Sequence, residues 1–119
     1  MALSQFTNVP AERPDGQVTF EMANLRPKTT GLPFVVWVSQ KAGAPHDIRV
    51  KVAQTAKVMS SQMSVYGLRP FSHIEGPGLS PGDEKLLANW LARNQAVLVA
   101  FWDGDIEYTE DLIEKIVAT

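Results

Sequence analysis

The stretch that decides the fold is Ala44-Pro45-His46-Asp47-Ile48-Arg49-Val50-Lys51-Val52. Its apolar residues at positions 48, 50 and 52 alternate with charged residues at positions 47, 49 and 51. Successive side chains of a strand point to opposite faces, so this pattern predicts a strand with an apolar inner face and a charged outer face. We predict that the strand runs from His46 to Ala53, with His46 on the apolar parity at the mouth of the core.

Four other segments complete a predicted sheet. Alternation from Val18 to Met22 predicts a half-buried strand, whereas residues 34–38 are apolar on both parities and predict a central strand covered on both faces or nearly so. Residues 63–66 and 71–74 predict two short strands around a turn. The short links between strands favour antiparallel hairpins. Residues 26–33 are predicted to form a loop.

Two helices follow the strands. Ser80 is a good N-cap and Pro81 suits the first helical position, so the first helix should begin there and run to about Trp102. Thr109 is predicted to cap a short helix over residues 110–117. The apolar residues of the long helix recur at helical spacing. That face contains Leu87, Trp90, Leu91, Asn94, Val97, Leu98 and Phe101.

This order of elements predicts an α+β fold. It should have an antiparallel sheet of four or five strands, one long helix packed across a face and a short C-terminal helix. Residues 1–16 are expected to form a loosely ordered lead-in, and residues 17–119 a single domain of a size suited to one core. The predicted core contains Trp37, Val50, Leu87, Trp90, Leu91 and Val97.

Composition narrows the class of protein. The chain has no cysteine, which excludes disulfides and thiolate metal sites. No apolar run approaches the roughly 20 residues that span a bilayer, and the first residues lack a signal-peptide pattern. We therefore expect a cytoplasmic protein with no membrane partner. We expect no cofactor and no metal, because two histidines without a familiar ligand spacing are too few for a metal site.

The net charge is only −2, but the charges are segregated. Seven basic residues and one acid lie between Arg26 and Arg69, whereas eight acids and three bases follow from Asp83 onward. One interpretation is that the two halves attract each other in the fold or across a dimer. The other is an anion-binding surface on the basic half.

The predicted strand supplies the centre of such a surface. Arg49 and Lys51 project together from its outer face, with Asp47 partly offsetting them. The predicted binding residues are Arg49, Lys51, His46, Lys41 and Arg69, with Lys57 as a further contributor.

Alternatively, these basic residues together with His73 could form the site of a metal-independent ribonuclease. His46 and His73 would act as general base and acid, and Arg49 or Lys51 would steady the phosphorane. Strand parity places His46 on the face opposite to these cations unless a bulge near Pro45 re-aims it.

Two other local patterns are weak. Residues 103–107 have acids at alternate positions but lack the central glycine and distal glutamate of an EF-hand loop. The glycine-rich residues 76–82 precede a helix but lack a Gly-Lys-Ser/Thr motif, so they predict a plain loop and helix cap.

The order of these parts resembles a loose group of small uncharacterised bacterial proteins. The resemblance covers Gly31 to Asp105. It rests on Gly31-Leu32-Pro33 before an apolar strand, on Pro45 to Val52, and on a late helix with Trp90, Asn94 and Trp102-Asp103. It implies a compact bacterial cytoplasmic domain and no established activity.

The sequence thus favours a small binding or interaction module over an enzyme. Its partner would be a protein or an anion such as a nucleic acid, and self-association into a homodimer is expected. The alternatives are the ribonuclease, or another phosphodiester-cleaving enzyme, and a structural or phage-derived accessory protein.

Overall fold

The computed structural model describes residues 22–55 and 62–119. These residues form a five-stranded antiparallel sheet in the order β1-β2-β3-β4-β5, a long helix and a short C-terminal helix, which confirms the predicted α+β class. The strands are β1 (Met22–Leu25), β2 (Val35–Ser39), β3 (Arg49–Ala53), β4 (Ser64–Leu68) and β5 (Phe71–Glu75). The helices within this part of the chain are α1 (Pro27–Thr30), α2 (Pro81–Trp102) and α3 (Thr109–Lys115).

Of the residues predicted to form the lead-in and the first strand, the structure describes only Met22. The predicted lead-in, residues 1–16, and most of the predicted first strand lie outside the described residues. Met22, the last residue of the predicted alternation, is the first residue of β1, which continues to Leu25.

The core lies between the sheet and α2. The inner face of the sheet consists of the alternate strand residues that are buried against the helices. These include Ala23, Leu25, Val36, Val38, Val50 and Val52. Leu87, Trp90 and Leu91 of α2 pack into the same cluster, as predicted, whereas Val97 is only partly buried at its border. The core prediction is wrong for Trp37, which is half-buried and points away from α2.

Local sequence fixes both ends of α2. The Ser80 side-chain oxygen accepts a hydrogen bond from the Asp83 N–H at 3.2 Å, and Pro81 is the first helical residue, as predicted. The helix ends at Trp102, and Gly104 then takes a positive φ of 88°. Within the described residues, no helix is long and apolar enough to cross a membrane.

The predicted loop over residues 26–33 contains a single helical turn, α1. Pro27 suits the first position of this turn. Gly31 ends it with a φ of 79° and donates its N–H to the Pro27 carbonyl at 2.8 Å. The loop prediction was therefore wrong for these residues, because Pro27 begins a helical turn and Gly31 ends it.

The short C-terminal helix is shifted from its predicted place. Thr109 is its first residue instead of its cap, and the helix ends at Lys115 instead of Val117. Buried Asn94 of α2 accepts a hydrogen bond from the Val117 N–H at 2.7 Å and donates one to the Val117 carbonyl at 3.0 Å. Since Asn94 binds both backbone groups of Val117, that residue cannot continue the helix.

Candidate functional site

The face of the sheet turned away from α2, the outer face, carries an indole beside two cations. Trp37 lies directly opposite Lys51 in the pairing of β2 with β3, and Lys51 also lies opposite Val65 of β4. Arg49 is two residues from Lys51, so the two cationic side chains leave the same face about 7 Å apart at the backbone.

These residues line a depression of about 330 Å³, at the lower end of the range for small-ligand sites. The loop after β2 and the end of α2 form its border. The residues that give it its chemistry are Trp37, Lys41, His46, Arg49, Lys51 and Glu75. We call it the outer-face depression.

The charge of the outer-face depression is mainly positive. Lys41, Arg49 and Lys51 form no ion pair within the described part of the chain. Glu75 is the one carboxylate among the described lining residues. The lining residues therefore give this surface a local positive charge, although the whole chain is negative.

Asp47 and Arg69 are engaged with each other. Arg69 donates through Nη2 at 2.6 Å and through Nε at 3.0 Å to the two carboxylate oxygens of Asp47. This pairing lowers the pKa of Asp47 and raises the pKa of Arg69. Asp47 therefore offsets Arg69 chiefly, and Lys41 to a smaller extent, instead of Arg49 and Lys51. Neither partner lines the depression, and Lys57 lies outside the described residues.

The predicted start of the strand at His46 is wrong. β3 begins at Arg49, which pairs with Gly67, and β4 ends one residue later at Leu68. The turn that follows contains Pro70, which has no N–H for a ladder, so no strand partner remains for His46.

His46 consequently lines the same depression as Arg49 and Lys51, although parity predicted the opposite face. Its ring stacks on Trp102 with centroids 5.8 Å apart. Its Nδ1 bonds the Asp47 backbone carbonyl oxygen at 2.7 Å, as donor. These contacts hold the imidazole at the rim, where the β2–β3 loop meets the end of α2.

His73 belongs to a different cluster. Its ring stacks on Tyr66 at 5.0 Å, and its Nε2 lies 3.1 Å and 3.0 Å from the carbonyl oxygens of Glu75 and Gly76. The Tyr66 hydroxyl donates to Glu84 at 2.6 Å. Burial, and then this bond to Glu84, raise the pKa of Tyr66, so the hydroxyl stays protonated at neutral pH and joins the sheet to the start of α2.

The two histidines lie toward opposite ends of α2. His46 stacks on Trp102, the last residue of the helix, whereas His73 stacks on Tyr66, which bonds Glu84 in the first turn. Glu84 and Trp102 are about 27 Å apart along the helix axis at 1.5 Å per residue. The structure therefore brings His46 to the cations but does not bring His73 to His46.

Two backbone donors of the glycine-rich loop before α2 bind side chains of the sheet. The Gly78 N–H donates to the Ser64 hydroxyl at 2.8 Å, and the Leu79 N–H donates to the Tyr66 hydroxyl at 2.8 Å. Ser80 caps the helix. These contacts make the loop part of the fold, as its sequence predicted.

The acidic residues of the second half do not form a metal centre. Within residues 22–55 and 62–119, no group of three or more His, Asp or Glu residues is placed to hold a metal ion. Asp103 caps the end of α2. A second depression of about 340 Å³ is lined by Asp105, Glu107, Asp111 and Glu114, with Lys115 as its one basic lining residue in the described chain.

Sequence reasoning missed the aromatic part of the outer-face depression. Trp37 was predicted to be core because residues 34–38 are apolar on both parities. Polar Ser39, which shares the parity of Trp37, is a signal for an outer face, but it does not decide the parity, because the link over residues 40–48 leaves the register with β3 open. Glu75 had no such signal, because a bulge between Val65 and Tyr66 shifts the register of β5.

Comparisons with known proteins find no matching family model, no matching curated protein and no matching solved structure. They add nothing to the resemblance suggested by the sequence, so the geometry of the outer-face depression carries the functional argument.

Proposed function

We propose that this protein is a small binding module that takes an anionic partner in the outer-face depression. The observation that carries the proposal is the convergence of Lys41, Arg49 and Lys51 on one concave surface with no ion pair among the described residues. Cations in a core or a purely structural surface are usually paired or dispersed. Three cations that share a depression with only one carboxylate are suited to bind a negatively charged ligand.

The proposal has a quantitative test in salt dependence. A labelled single-stranded RNA should bind with a log–log salt slope of about −2 if three phosphates are neutralised, which is roughly a tenfold to twentyfold loss between 50 and 200 mM salt. Changing Arg49→Ala together with Lys51→Ala should reduce that slope by about 1.4. Fluorescence anisotropy titrations at both salt concentrations measure these values, with duplex DNA as a second probe.

The matched control is Lys28→Ala with Lys85→Ala. Both lysines are exposed and lie outside the depression. Their replacement changes the net charge by the same amount as the Arg49→Ala, Lys51→Ala double substitution. This control should bind like the wild type. Absence of RNA and duplex DNA binding by the wild type at low salt, or equal binding by the Arg49/Lys51 double variant, would overturn the proposal.

The ribonuclease alternative gains no support from the geometry. A two-histidine mechanism needs both imidazoles in one site, and His46 and His73 lie toward opposite ends of α2. Nothing in the described residues favours the structural or phage-derived accessory role. A bacterial, cytoplasmic setting belongs to the proposal and is compatible with a chain that contains no cysteine.

Self-association is a further part of the proposal. β1 and β5 are the terminal strands of the described sheet, and β5 is exposed along its length. Edge strands tend to pair, and the acidic depression beside α3 could add a salt-sensitive contact with the basic surface. We expect a homodimer in sedimentation experiments at high micromolar concentration, weakened by salt. A strict monomer at low salt contradicts this expectation.

A further inference from the structure

The three tryptophans lie in different environments. Trp90 is fully buried in the core, and Trp102 is buried and stacks with the His46 ring. Trp37 is half-buried on the outer face, and within the described residues no aromatic ring stacks on it. A large indole placed in this way offers an apolar, polarisable surface to a planar ligand.

The cations surround this indole. Lys51 lies directly opposite Trp37 across the β2–β3 pair, Arg49 follows two residues away on the same face, and Lys41 comes from the adjoining loop. An inorganic anion would use the cations but not the indole. A ligand that uses both must combine a planar apolar group with closely linked negative charges.

Nucleic acid has this combination, and its single-stranded form offers the base. Bases in a duplex are stacked on each other, whereas an unpaired base can stack on an aromatic side chain while cationic residues follow the backbone. A depression of about 330 Å³ has room for one nucleotide but not for a double helix.

We propose that the outer-face depression binds single-stranded nucleic acid, with one base stacked on Trp37 and the adjoining phosphates held by Arg49, Lys51 and Lys41. This inference rests on the proposed function, and it adds a role for the base. Glu75, at the opposite border from Trp37, offsets one positive charge and keeps the attraction modest.

The experiment compares an oligouridylate with an abasic sugar–phosphate chain of equal length. Wild type should bind the oligouridylate more tightly. Trp37→Ala should weaken that binding about tenfold or more, because stacking contributes substantially for each base. The same variant should bind the abasic chain as wild type does. Trp37→Phe should retain most of the oligouridylate affinity, because phenylalanine also stacks.

Indole fluorescence provides a readout that does not depend on an alanine variant folding. The oligouridylate should quench wild-type emission, and the abasic chain should not. Most of the quenching should be lost in Trp37→Phe, since Trp90 is fully buried and Trp102, which lines the rim of the depression, is only 4% exposed. Thermal melts of each variant verify that it is folded under the titration conditions.

The outcomes separate the two proposals. Equal wild-type affinity for both chains, or quenching that is undiminished in Trp37→Phe, overturns base stacking on Trp37 while anion binding stands. Binding to neither chain at low salt removes the anion-binding function itself. Tighter binding of an oligoglutamate than of the oligouridylate, unchanged by Trp37→Ala, would assign the depression to an acidic protein surface and overturn this inference.

Discussion

Replacing Trp90 with alanine is expected to lower the free energy of unfolding by about 3–5 kcal/mol, as for large aromatic deletions in cores. Trp90 has 0% of its surface exposed and packs in the main cluster between α2 and the sheet. Its removal leaves a large cavity that the surrounding strands cannot fill without moving. Urea denaturation, followed by far-ultraviolet circular dichroism, measures the change.

Leu86→Ala is the matched control, because Leu86 is on the same helix and is 42% exposed. That substitution should have an effect below about 1 kcal/mol. Trp90→Phe is informative as well, because the buried Trp90 Nε1 has no hydrogen-bond partner within the described residues. Phenylalanine removes this unsatisfied donor, so it should be tolerated much better than alanine. A Trp90→Ala effect below about 1 kcal/mol would show that α2 does not pack here.

Replacing Gly76 with alanine is expected to destabilise the fold by about 2–5 kcal/mol, from backbone strain and overpacking together. Gly76 has a φ of 87°, a conformation that side chains with a Cβ rarely adopt. An added methyl group would overlap the Met63 carbonyl oxygen and lie 2.7 Å from the Ser64 Cα. Because both obstacles are backbone atoms, the β4 strand itself would have to shift.

Gly43→Ala separates strain from overlap in this prediction. Gly43 has a similar φ of 79°, but no atom lies within 4 Å of an added Cβ. The Gly43→Ala variant should therefore lose only about 1 kcal/mol of unfolding free energy, from strain alone. Gly82→Ala, with neither a positive φ nor a neighbour, should be neutral or slightly stabilising. Thermal melts that rank Gly76→Ala no worse than Gly43→Ala would contradict the close approach of Gly76 to Met63.

The individual elements were determined largely by short-range chemistry. The alternation around Val50 specified β3, because one face of a strand is buried while the other meets solvent. Ser80 and Pro81 specified the start of α2, because a hydroxyl satisfies a free N–H there and proline lacks one. Short links specified antiparallel pairing, and strands followed by a long helix specified the α+β class.

Tertiary structure decided where these elements direct their functional side chains. Residues 34–38 are apolar on both parities, so the sequence by itself could not tell which parity faces α2; packing of the helix turned Val36 inward and left Trp37 outside. The end of β4 left His46 without a strand partner, and stacking on Trp102 then placed it at the rim. Asn94 likewise ended α3 by binding Val117, 23 residues away. Such choices depend on contacts between distant segments, whereas strand alternation and helix capping depend on neighbouring residues. The sequence alone therefore determined the type and order of the main elements, whereas the tertiary structure decided some of their ends and assembled the outer-face depression.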